Sequence, residues 1–90
     1  MRDFYEWHPA KADTNVAKHG VHFRAARRFE WETALEKIDM RGAYGEVRCT
    51  AIGFIGERLH VMAYTRRGAF VRLISLRKAN AREIRHYVEF

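Results

Sequence analysis

The spacing of apolar and polar positions along this 90-residue chain changes several times, and each change marks a predicted element. Asp3-Phe4-Tyr5-Glu6-Trp7 clusters aromatics in a way that suits a pleated, half-buried surface and predicts a short opening strand. Pro9 fits a first helical turn, where its missing N–H costs nothing, and Gly20 fits the position just past a helix end. Together they bracket a helix over Pro9–His19. Within Val21–Phe29, Phe23, Ala26 and Phe29 recur at helical spacing with Arg24, Arg27 and Arg28 directed away, which predicts a second short helix. Thr33–Asp39 reads as a strand with poor alternation, and Met40–Gly45 as a loop. From Glu46 the period falls to two: Val47, Cys49 and Ala51 alternate with Arg48, Thr50 and Ile52. Gly56-Glu57 turns the chain, Leu59, Val61 and Ala63 alternate with His60, Met62 and Tyr64, and Phe70–Leu76 is strand-like again after Arg66-Arg67-Gly68. Asn80 is placed to cap a final helix, with Glu83 at the capping-box position and Ile84, Tyr87 and Val88 as the packing stripe. The expected fold is α+β: an antiparallel β-sheet meander with two N-terminal helices and one C-terminal helix.

Length confines this pattern to a single domain over residues 1–90, with a core too small to enclose a large cavity. An apolar share of 48% marks a globular chain. No apolar run approaches the roughly 20 residues of a membrane span, and Met1-Arg2-Asp3-Phe4 lacks the apolar core of a secretion signal, so a cytoplasmic protein without membrane contact is expected. Cys49 stands alone, which excludes an internal disulfide and every cysteine-rich metal site, and it reads as a small core residue. The net charge of +6 is uneven: residues 66–90 hold seven Lys/Arg against two Asp/Glu, whereas residues 1–65 hold ten against nine. A concentrated positive surface attracts polyanions by steering and by release of condensed counterions, so RNA, DNA or an acidic protein would satisfy it.

Lys11, Asn15 and Lys18 share one helical face beside His19, a stripe able to hold phosphate or an acidic partner and equally compatible with an ordinary solvated face. His19 can exchange a proton near neutral pH, or simply complement the helix C-terminus. The denser constellation is Arg66 and Arg67 at a hairpin tip, Arg72 and Arg77 on the next strand, Lys78 at its end, and Arg82 and Arg85 on the last helix. Guanidinium groups offer planar, paired donors matched to phosphate and can stabilise charge that develops on it. Strict alternation puts Ser75 and Arg77 on one face and Arg72 and Ile74 on the other, which predicts that these cations do not all serve one site. Glu83 and Tyr87, four apart, present a carboxylate and a phenol on one helix face, for proton transfer or for capping and packing. The five histidines have no metal-binding spacing, Ser75 lies in an apolar strand rather than at a nucleophile elbow, and there is no glycine-rich phosphate loop. No metal and no cofactor is expected.

Three motifs in order, Trp7-x-Pro9-x-Lys11-x-x-x-Asn15-x-x-Lys18-His19-Gly20-Val21-x-Phe23-x-x-Ala26, Glu46-x-Arg48-x-x-x-Ile52-Gly53, and Tyr64-Thr65-x-Arg67-Gly68-x-x-x-Arg72-x-Ile74-Ser75-x-Arg77-x-Ala79-x-x-x-Glu83-x-x-x-Tyr87, resemble the BrnT toxin family nearly end to end. The resemblance implies a RelE-like fold and a metal-independent endoribonuclease that halts translation. It also implies a BrnA-like antitoxin that binds the toxin, forms a hetero-oligomer with it and links it indirectly to operator DNA. On this reading Arg67, Arg72, Arg77, His19, Glu83 and Tyr87 carry catalysis, and Lys11, Asn15, Lys18, Arg66, Lys78 and Arg82 contact RNA. Two departures stand out. His8 replaces the Asp that caps the family's first helix, a loss expected to cost about 1 kcal/mol, and Ile84 replaces an arginine. Residues 28–43 match poorly. These departures leave a second expectation open: a catalytically degenerate toxin, or a basic nucleic-acid- or antitoxin-binding module acting in operon repression.

Overall fold

The computed structural model describes residues 4–39 and 46–90; the expected loop at 40–45 and Asp3 lie outside the described residues. In chain order the elements are β1 (Phe4–Glu6), α1 (Pro9–His19), two 3₁₀ segments (Phe23–Arg28 and Trp31–Thr33), β2 (Leu35–Asp39), β3 (Arg48–Ile55), β4 (Arg58–Arg67), β5 (Phe70–Lys78) and α2 (Ala81–Val88). The strands form one sheet in the order β1-β5-β4-β3-β2. Strands β2 to β5 make the expected antiparallel meander. The sheet as a whole is mixed, because β1 pairs in parallel with β5, Phe4 opposite Phe70 and Glu6 opposite Arg72. Local alternation carries no information about that pairing, which joins the two ends of the chain.

Helix α1 has the limits its proline and glycine predict, with Gly20 at φ 72° and its N–H bonded to the Val16 carbonyl. Its N-cap is not lost. The His8 Nδ1 accepts from the Ala10 N–H at 3.1 Å, so the imidazole does the work expected of an aspartate. The second predicted helix is a 3₁₀ segment instead of an α-helix. Three residues per turn stack positions i and i+3, and the stripe Phe23, Ala26 and Phe29 is buried in that register.

These segments cover one sheet face. Ala12, Val21, Phe23, Ala26 and Phe29 pack against Ala51, Met62, Tyr64, Val71, Leu73 and Leu76 in the main core, with half-buried Cys49 at its margin. Gly53 belongs to this contact: a Cβ there would lie 2.6 Å from the Phe29 ring. On the opposite face, Ile84 and Tyr87 of α2 pack on Leu59, Val61, Ala79, Ile52 and Phe54. Helix α2 has the expected capping box between Asn80 and Glu83. At eight residues it covers one end of that face and leaves the other open.

The β4–β5 register contains a shift. Ala63 faces Ser75, but Tyr64 faces Leu73, so Ile74 is an extra residue opposite the Ala63/Tyr64 step. A one-residue bulge reverses the alternation beyond it. Leu73 and Leu76, three apart, therefore both enter the main core. Arg72 and Arg77, which strict alternation separates, instead lie on the same face, opposite Thr65 and Val61 of β4.

Asn15 does not share the solvated face of Lys11 and Lys18. It is 4% exposed, its amide donates to the carbonyls of Val21 and Leu76 at 2.8 and 2.7 Å, and its Oδ1 accepts from the Leu76 N–H at 3.1 Å. It thus acts as a strand partner for β5 beyond the point where β1 ends. Asn15→Ala leaves buried main-chain groups unpaired and is expected to lower unfolding free energy by about 2–4 kcal/mol, read from urea denaturation.

Candidate functional site

The open end of the α2-side sheet face is built from cross-strand rows. Directly paired residues share a face, so Glu6, Arg72, Thr65, Arg48 and Asp39 form one row across five strands. Ser75, Ala63, Thr50 and Lys37 form the next, and Arg77, Val61, Ile52 and Leu35 the third. On the other side of the first row lie Phe4, Phe70 and Arg67. At least three shallow depressions open along this face, two of them lined by arginines. One, of about 270 Å³, is lined by His8, Lys11, Glu46, Arg48, Thr65 and Arg72, with Leu73 and Ile74. The other, of about 400 Å³, lies between the sheet and α2 and includes Lys37, Thr50, Arg77, Arg82, Glu83 and His86.

Each of the three expected catalytic arginines meets a carboxylate. Arg77 bonds both oxygens of Glu83 at 2.9 and 2.8 Å, Arg67 bonds both of Glu46 at 3.0 and 3.1 Å, and Arg72 lies 3.5 Å from Glu6. Hydrogen bonds from Arg77 hold the Glu83 carboxyl below the usual carboxylate range against the opposing effect of burial. The Arg67 pair lowers Glu46 in the same way. The Arg67 pair is exposed and the Arg72 and Arg77 pairs are partly exposed, and pairs open to solvent are worth little net energy, so they orient the guanidinium groups without tying them up against a better anion. Between Arg48 and Arg72 the Thr65 hydroxyl is buried and, among the described residues, has no hydrogen-bond partner.

The remaining expected residues are scattered. Arg66 is on the main-core side of the sheet edge, 3.7 Å from Glu36, with its guanidinium 5.5 Å from the Trp31 ring centroid and 5.6 Å from that of Tyr64. The Tyr64 hydroxyl donates to Glu36, and burial followed by that carboxylate pushes its pKa up. The Tyr87 hydroxyl donates to the Thr33 carbonyl at 2.8 Å and its ring stands edge-on to Phe54, so it anchors α2. Lys11 lines the smaller depression, whereas His19 is exposed at the far end of α1, about 12 Å along the axis from Lys11 at the usual helical rise. Lys18 is exposed on α1, Lys78 is exposed at the end of β5, and Arg82 joins the larger depression.

Sequence reasoning did not select Lys37, Arg48, Thr65 or His86 as site residues. For His86 a signal was present, since it lies four residues from Arg82 and three from Glu83 on one helix. For Arg48 it was membership of a quoted motif. Thr65 too stands in a quoted motif, and Lys37 is recognisable only from strand register. Among the described residues, no three His, Cys, Asp or Glu side chains gather in a way that could hold a metal ion. No helix among them is long and apolar enough to cross a membrane.

A family model described as the ribonuclease toxin BrnT of type II toxin-antitoxin systems matches residues 7–83. No curated protein matches the chain. The matched span contains α1, the whole meander, Arg67, Arg72 and Arg77, and ends at Glu83.

The lowered Glu83 pKa links this corner to pH. A carboxyl that ionises more readily when folded contributes stability above its unfolded value of about 4.3, and that contribution is lost as pH falls through the lower folded value. Acid titration of thermal stability is expected to show a smaller loss below about pH 4.3 in Glu83→Gln than in the wild-type chain.

Proposed function

The chain belongs to the BrnT family of ribonuclease toxins of type II toxin-antitoxin systems, and from that membership we propose that its open sheet face binds and cleaves RNA. The observation that carries this reading is the bulge at Ile74, which brings Arg72 and Arg77 onto one face with Arg48 and Lys37. Extended RNA laid over these rows meets guanidinium groups at successive positions, and its phosphates exchange with Glu6, Glu46 and Glu83 as partners of the arginines. An arginine remains charged at any physiological pH, which suits it to this role.

Cleavage proceeds by attack of a ribose 2′-hydroxyl on the adjacent phosphorus. The 2′-oxygen loses its proton, a new P–O bond forms, the bond to the 5′-oxygen breaks, and that oxygen takes up a proton. The products are a 2′,3′-cyclic phosphate and a 5′-hydroxyl end, and no metal is required. Arg77 faces the charge gathering on the phosphorane, and Arg72, two rows away, holds a neighbouring phosphate. Glu83 positions Arg77. His86, at the same depression, is suited to moving protons because an imidazole both accepts and donates them near neutral pH. Arg67 and Lys11 extend the RNA track, while Asn15 and Tyr87 hold the scaffold.

The helix-flanked meander supports a RelE-like architecture, and cleavage of translated RNA would halt protein synthesis. Membership of a type II system implies a protein antitoxin, and a BrnA-like partner with an acidic segment fits the cationic face. His8 serves as a helix cap and Ile84 as a packing residue under α2.

Expression of the chain alone is expected to arrest growth and create new RNA ends whose mapping is unchanged by EDTA. Arg77→Ala should slow cleavage about a hundredfold or more while preserving the fold and antitoxin binding. A wild-type chain that leaves RNA whole both in solution and during translation refutes the proposal, and an equally active Arg77→Ala refutes the assignment.

A further inference from the structure

We propose that Phe4 and Phe70 form a shelf on which a base of single-stranded RNA stacks, at the margin of the cationic face. The inference rests on the RNA-binding reading above and adds to it a contact with the base, where every other group invoked addresses phosphate or ribose.

The two rings are exposed, Phe4 at 63% and Phe70 at 46%, although phenylalanines elsewhere in the chain, such as Phe23 and Phe29, are nearly fully buried. Parallel pairing of β1 with β5 sets them side by side, with ring centroids 6.0 Å apart and planes at 51°. Both lie on the arginine-bearing face, for Phe70 is directly opposite Arg67 and two residues from Arg72. An apolar pair therefore lies at the sheet edge beside two guanidinium groups already held in place by Glu46 and Glu6, Arg67 across from Phe70 and Arg72 in the next row. Water gains nothing from such a patch. A nucleotide does, since it offers a flat π-face and a phosphate within one residue. Aromatic shelves beside cationic tracks hold single strands with little sequence preference, because every base has a π-face. The alternative occupant is a hydrophobic side chain of a protein partner. Two rings bordered by Arg67 and Arg72 provide the charge complement of a polyanion rather than an apolar socket.

The test uses a fluorescent RNA of about 12 nucleotides, fully 2′-O-methylated so that it lacks the attacking hydroxyl, with inorganic polyphosphate as a ligand that has charge but no base. Phe70→Ala and Phe4→Ala are expected to weaken RNA binding roughly tenfold each, with polyphosphate binding unchanged. Phe70→Trp should retain RNA affinity. Circular dichroism melts of each variant confirm folding, and surface positions of this kind are expected to leave them unaltered. Wild-type RNA affinity in both alanine variants overturns the shelf alone. Equal losses on RNA and polyphosphate overturn it too, because the rings would then act only by placing arginines. Loss of antitoxin binding with RNA binding intact identifies a protein-docking patch and overturns it as well. A wild-type chain that does not bind the RNA removes the underlying reading and the shelf together.

Discussion

One extra residue in β5 governs where the charge of this molecule goes. The residue is Ile74, and the register shift it introduces at Ala63/Tyr64 changes the face on which each side chain before it emerges relative to those after it. The apolar residues fix the shift in place. Leu76 and Leu73 are both buried in the main core, and a straight strand would turn one of them to solvent and a polar neighbour inward. The hydrophobic gain from burying both leucines holds the bulge, and the bulge sets Arg72 and Arg77 together. Packing on one side of the sheet thereby determines electrostatics on the other.

The arginines gathered in this way need counter-charge, and the fold supplies it from separate elements. Glu6 comes from β1, Glu83 from α2, and Glu46 from the approach to β3. Two of these pairs are bidentate, which fixes the guanidinium planes, and all are exposed enough that the net stabilisation of each is small. A ribonuclease of 90 residues has little interior to spend on a preformed pocket. Shallow depressions lined by oriented arginines achieve preorganisation at the surface instead.

The scaffold beneath shows the same economy. β1 is only three residues long and covers β5 as far as Arg72; beyond it, the buried Asn15 of α1 takes over the pairing with Leu76. Tyr87 ties α2 to the Thr33 carbonyl across the other end of the sheet. Histidines at positions 8 and 22 close the N-termini of α1 and the first 3₁₀ segment with ring nitrogens, a use of imidazole that has nothing to do with proton transfer. Residues that looked chemical in isolation thus divide between holding the fold and facing the open surface.

Much of this was legible in the chain. Pro9 and Gly20 delimit α1, Gly56 and Gly68 mark the two tight turns with positive φ, and Asn80 with Glu83 announces the capping box. Each depends on interactions spanning a few residues, and those a sequence states directly. The arginine-rich last quarter was equally plain. The parallel partner of β1, the burial of Asn15, and the convergence of Lys37, Arg48, Arg72, Arg77 and His86 were not, because pairing across distant strands decides them. The three-residue step from Leu73 to Leu76 was the one local trace of the bulge, and its meaning emerged only once β4 supplied a register to compare it with. Local spacing determines which elements form; the face a side chain occupies is a property of the whole sheet, since one inserted residue reverses it.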